Sequence, residues 1–73
     1  MRSTLEIPHK KSSTILYRLS EIIYYCGAAI NRVERRDHPA GSAHRFDVSL
    51  PAAEDLDELK GKLWEAGFEA REV

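Results

Sequence analysis

The sequence predicts an α+β fold, a two-layer plait built in the order strand, helix, strand, strand, helix, strand. Three observations predict it. A helical apolar stripe runs from Ile15 to Cys26 and stops at Gly27, and a second runs from Leu56 to Ala66 and stops at Gly67. Between them, the segment from His44 to Leu50 alternates apolar with polar residues. A period of 3.6 marks a helix with one buried face and a period of 2 marks a strand with one buried face, so the alternation of the two sets the order of elements.

Taken in order, Leu5 and Ile7 alternate with Thr4 and Glu6, so residues 3–8 form a short strand that Pro8 ends. A polar stretch follows, in which Ser12 or Ser13 can cap the next helix by accepting from an unpaired backbone N–H. Ile15, Leu16, Leu19, Ile22, Ile23 and Cys26 recur at helical spacing and place a helix over 14–26, with Gly27 where a left-handed residue ends it. Residues 29–37 read as a strand, although Ile30 and Val33 are three apart. Either Ile30 belongs to the turn leading in or a bulge intervenes.

Residues 38–41 are a turn, with Pro39 second and Gly41 fourth. His44, Phe46, Val48 and Leu50 then alternate with Arg45, Asp47 and Ser49, giving a strand with one dry and one wet face. Pro51 opens the second helix, and Glu54 and Asp55 favour the positive end of its dipole. Leu56, Leu59, Leu63 and Ala66 are its buried stripe; Gly61 falls on the solvent side at a cost of about 1 kcal/mol against alanine. Phe68, Ala70 and Val73 make a short last strand. Two helices on one face of an antiparallel sheet, each strand–helix–strand half crossing right-handed, give a ferredoxin-like plait.

The chain has 73 residues, room for one domain spanning residues 1–73. A core of that size supplies only about 3–5 kcal/mol, so a staple or a partner is expected. Cys26 is the single cysteine, so the staple is not an intramolecular disulfide. His9, His38 and His44 lack zinc-site spacing, and neither metal nor cofactor is expected. That leaves self-association or attachment to a larger protein. A net charge of −1 gives no bulk attraction to nucleic acid or an anionic membrane, and no apolar run reaches the length of a bilayer span. A free thiol with no apolar leader points to a cytoplasmic setting.

Catalysis has little support. No histidine sits in a nucleophile or acid–base motif, and Cys26 closes a buried stripe, where a packed thiol fits better than a nucleophile. A non-enzymatic module is expected. The central hairpin concentrates Arg32, Arg35, Arg36, His38, His44 and Arg45, so an RNA-binding plait is a further candidate. RNA-binding plaits stack bases on aromatic residues of the open sheet face; the outward residues here are Thr4, Glu6, Arg45, Asp47 and Ser49, and nucleic acid is not the expected partner. Tyr17 and Tyr24 point away from the first stripe, Tyr25 flanks it and Trp64 sits at the margin of the second. These rings, with Arg32 and Arg36, are candidate partner contacts; covering the core edge is their plainer role.

The element order, the segment Leu16-Tyr17-Arg18, the helix end at Gly27, Val33-Glu34-Arg35-Arg36 and the closing Glu65-Ala66-Gly67-Phe68-Glu69 resemble the ACT domain. That family comprises small regulatory modules of amino-acid metabolism that pair and bind amino acids. The chain is most similar to the branch attached to prephenate dehydratase and the aromatic amino-acid hydroxylases, whose motifs read Gly-Ala-Leu-Tyr and Glu-Ser-Arg-Pro. The resemblance covers nearly the whole chain. The family's helix-start glycine falls on Thr14, the proline before it on Ser13, and the asparagine after the helix on Ala29, with Asn31 two positions on. In the second motif Glu34 and Arg36 match, while Arg35 and Asp37 stand for serine and proline.

The resemblance implies a regulatory module that self-associates, by joining sheet edges or packing helices, or that serves a fused catalytic domain. It implies an amino acid or similar small effector. The expected site lies between Lys11, Ser12, Ser13 and Thr14 and the start of the second strand at Ala29, Ile30 and Asn31, with the two serines and the helix-start N–H groups on a carboxylate. The Thr14 side chain would occupy space for the effector's polar end. A pure interaction or scaffold domain, natural or engineered, that has lost the pocket therefore stands as the alternative.

Overall fold

Strand and helix follow each other as the two periodicities require. The computed structural model describes residues 1–9, 14–39 and 41–73, with His38 in its backbone alone. Its elements are β1 (Arg2–His9), α1 (Ile15–Tyr25), β2 (Ala29–His38), β3 (Gly41–Ser49), α2 (Ala53–Glu65) and β4 (Arg71–Glu72). The four strands form an antiparallel sheet in the order β2-β3-β1-β4. This is the ferredoxin-like βαββαβ plait that the sequence predicts.

Alternation decides the faces. Leu5 and Ile7 on β1, and Phe46 and Val48 on β3, are fully buried, and Leu5 lies opposite Phe46. Leu19 and Ile23 of α1 and Leu56, Leu59 and Leu63 of α2 complete the core with Leu50, Ala28 and Phe68. The first stripe is narrower than its sequence suggests. Ile15, Ile22 and Cys26 are partly buried, and Leu16 is 42% exposed because it sits at the margin of the stripe in the helix's first turn.

The two helices end alike. Gly27 (φ +80) and Gly67 (φ +92) take the left-handed conformation that a Cβ disfavours. The N–H of Gly27 bonds Tyr24 O and that of Ala28 bonds Ile23 O; Gly67 and Phe68 do the same to Trp64 O and Leu63 O. These are twin Schellman ends, each sending its next apolar residue, Ala28 or Phe68, into the core. The starts differ. Thr14 precedes α1 without a side-chain capping bond, and Ser12 and Ser13, the expected caps, lie outside the described residues. Pro51 stands two residues ahead of α2, not in its first turn, and Asp55 Oδ2 accepts the Ala52 N–H at 3.0 Å.

Two strands differ from expectation in instructive ways. β2 has a register shift between Ile30 and Arg32, the bulge that is one of the two readings left open by the spacing of Ile30 and Val33. β4 shrinks to Arg71–Glu72, paired with Leu5 and Glu6. Phe68 cannot join it, because its N–H is committed to closing α2 at 2.8 Å.

Candidate functional site

The expected effector site has two halves. Lys11, Ser12 and Ser13 lie outside the described residues. Thr14 stands at the start of α1, whereas Ala29, Ile30 and Asn31 follow its end. The 11 residues of α1 separate these halves by about 16 Å, so within one chain Thr14 and Ala29 do not meet around a small molecule. At the second half, Asn31 Nδ2 donates to Ser49 Oγ at 2.8 Å. Ala29 and Ile30, with Tyr24, Tyr25, Gly27 and Ala28, line an apolar depression of about 560 Å³.

Tyr17, Tyr24, Tyr25 and Trp64 are all 69–76% exposed. Tyr24 and Tyr25 meet edge to face, with ring centroids 5.6 Å apart, whereas Trp64 stands apart from them on α2. Tyr25 borders a cleft of about 410 Å³ between the helices, lined on the α1 side also by Arg18, Glu21, Ile22 and Cys26 and on the α2 side by Glu58 and Lys62. Helical spacing turns Tyr24, with Leu16 and Ser20, away from that cleft. It likewise puts Trp64 on the flank of α2 away from the cleft. In the cleft, burial pushes the Cys26 thiol up, Glu58 adds to this and Lys62 opposes it. A thiol held protonated is a poor nucleophile. The Arg18 guanidinium lies over the Phe68 ring, 5.4 Å from its centroid. Sequence reasoning missed this cleft. Its signal was the pairs Arg18/Glu21 and Glu58/Lys62 flanking the two stripes, but their meeting depends on how the helices pack.

The open sheet face is polar and largely charge-paired. Arg2 meets Asp47 at 2.5 Å, Arg45 meets Glu6 at 3.0 Å, and Glu34 meets Arg32 at 2.5 Å and Arg36 at 3.4 Å. The Arg2 guanidinium, through its hydrogen bond, holds the Asp47 carboxyl below the usual carboxylate range. On the helix-facing side, Arg35 meets Asp37 at 3.1 Å. Each hairpin arginine thus has a carboxylate partner within the chain, Arg32 and Arg36 sharing Glu34, and the outward residues Thr4, Glu6, Arg45, Asp47 and Ser49 offer no ring on which a base could stack.

Among the described residues β2 is an edge strand, bonded only to β3. Its ten residues carry Arg32 and Arg36 on the open face, both paired to Glu34. Val33 lies opposite the fully buried Phe46 yet is 39% exposed, because its other side has no neighbouring strand. Sequence reasoning also missed a stacked pair at the hairpin end of the sheet, His9 on His44, with ring centroids 4.5 Å apart. Among the described residues no group of three side chains could hold a metal ion, and no helix is long and apolar enough to cross a membrane.

No family model matches the sequence, and no curated protein matches it. Solved structures do match in fold. An ACT domain protein from Streptococcus pneumoniae superposes with a TM-score of 0.76 at 16% identity, over 100% of this chain and 88% of that one. The ACT domain of prephenate dehydrogenase from Bacillus anthracis gives 0.66 at 16% identity, over 93% of this chain and 99% of that one. The chain has the fold of ACT domains, as its motifs imply.

Proposed function

We propose that this chain is a small regulatory module of the ACT type, which pairs with a second copy and takes an amino acid or similar small effector in the paired state. The likeness in fold over the whole chain carries the reading. Two features support it. The long edge of β2 is open to a further strand. The halves of the expected site lie at opposite ends of α1, and a two-fold pairing through β2 sets two copies of α1 antiparallel, bringing the start of one helix toward the end of the other. In this reading the chain has no catalysis of its own and adjusts the activity of an enzyme to which it is joined.

Sedimentation at two concentrations tests pairing, and titration with aromatic and branched amino acids, followed by Trp64 fluorescence and melting temperature, tests the effector. A monomer at every concentration removes the first half of the reading, and no shift with any amino acid removes the second. A pure interaction module is the second reading. Thr14 at the start of α1, where the resemblance places a glycine, favours it, and it predicts pairing with no response to amino acids.

A further inference from the structure

The pairing just proposed leaves open which residues meet, and the charge pattern of β2 settles on one arrangement. We infer that two copies of this chain join antiparallel through their β2 edges with the two-fold axis at Val33, so that Val33 opposes itself and Arg32 of each copy opposes Glu34 of the other. The inference rests on the self-association reading and adds the register to it.

Beyond the bulge, Arg32, Glu34 and Arg36 share the open face, opposite Asp47, Arg45 and Ala43 of β3, while Val33 and Arg35 face the helices, opposite Phe46 and His44. Directly opposed residues of an antiparallel pair lie on the same face, so a strand pairing with its own copy must centre on a residue. A centre at Glu34 sets Glu34 against itself and Arg32 against Arg36. Centres at Arg32, Arg35, Arg36 or Asp37 each set a like charge against itself, which destabilises a pair. Val33 is the one centre from 32 to 37 that opposes an apolar residue to itself and places opposite charges face to face on both sides.

The flank of the molecule fits this arrangement. α1 packs against β2, and Leu16 and Tyr24, 42% and 71% exposed, stand on its side away from α2. Tyr24 borders Ala29 and Ile30 at the start of β2, so a second copy on that edge lies beside it. Glu34 is already held between Arg32 and Arg36, 2.5 Å and 3.4 Å away, which fixes its carboxylate on the open face, ready for an arginine across the axis.

The test combines charge exchange with cross-linking. Arg32→Glu alone and Glu34→Arg alone should each weaken dimerisation in sedimentation by about tenfold or more, and the two together should restore it. In a Cys26→Ser background, Val33→Cys should form a disulfide-linked dimer under mild oxidation, since opposed Cβ atoms sit about 4.5–5.5 Å apart. Arg35→Cys in the same background should not. A wild-type dimer whose double exchange fails to restore pairing, or in which Arg35→Cys cross-links instead, overturns the register and leaves self-association standing. A wild-type chain that sediments as a monomer throughout overturns both.

Discussion

The imidazole of His44 stacks on that of His9, with ring centroids 4.5 Å apart and 18° between the planes. His44 is 7% exposed, and its Nδ1 has no hydrogen-bond partner among the described residues. Burial first, then His9 and Arg35, push its pKa below the ordinary histidine value of 6.5, against a smaller opposing pull from Asp37. The unfolded chain therefore binds this proton more tightly than the folded one. Its contribution to stability is present above 6.5 and is lost as the pH falls from there toward the folded-state pKa. The melting temperature should drop between pH 7.5 and pH 5, and His44→Phe should flatten that part of the profile.

The glycines give a pair of predictions of opposite sign. At Gly27 a Cβ would meet nothing within 4 Å, so the cost of Gly27→Ala lies in the backbone alone, at φ +80. That should destabilise by about 1–2 kcal/mol. Gly61 lies inside α2, exposed and equally uncrowded, and Gly61→Ala should stabilise by about 0.5–1 kcal/mol. Urea unfolding of the two variants beside the parent chain reads both signs.

What the sequence made legible was whatever a single element decides. The spacing of Ile30 and Val33 narrowed β2 to a bulge or an entry turn, and both helix ends followed from Gly27 and Gly67. Properties shared between elements were not legible. Phe68 and Ala70 alternate like strand residues, but the end of α2 claims the Phe68 N–H, and β4 begins only at Arg71. The stack of His9 on His44 depends on a register that pairs Ile7, not His9, directly with His44. Spacing in the chain also hid the distance from Thr14 to Ala29, because a helix carries its two ends apart.

The core should have little reserve. Phe46 is fully buried at the centre of the sheet, between Leu5 on β1 and Val33 on β2. Phe46→Ala should cost about 3–5 kcal/mol. A chain of 73 residues holds only about 4–11 kcal/mol in total, so the variant should be partly unfolded at 37 °C, with a greatly lowered urea midpoint. Phe46→Leu, which keeps most of the volume, should remain cooperative.

The start of α2 is capped by half. Ala52 has the extended backbone of an N-cap, φ −148 and ψ 164, but a methyl group cannot accept a hydrogen bond. Asp55 supplies the return half, its carboxylate accepting the Ala52 N–H at 3.0 Å. The Asp55 N–H already donates to the Ala52 carbonyl at 3.1 Å, so Ala52→Ser would add a second, side-chain acceptor for the N–H groups of the first turn in a backbone already shaped for it. The expected gain is about 1 kcal/mol, seen as a higher urea midpoint at unchanged slope. Asp55→Ala should cost a similar amount, and in that background Ala52→Ser should still add its own gain, because each half satisfies a different backbone donor. A loss on Asp55→Ala that disappears at high salt would mean that dipole charge, not the hydrogen bond, gives Asp55 its effect.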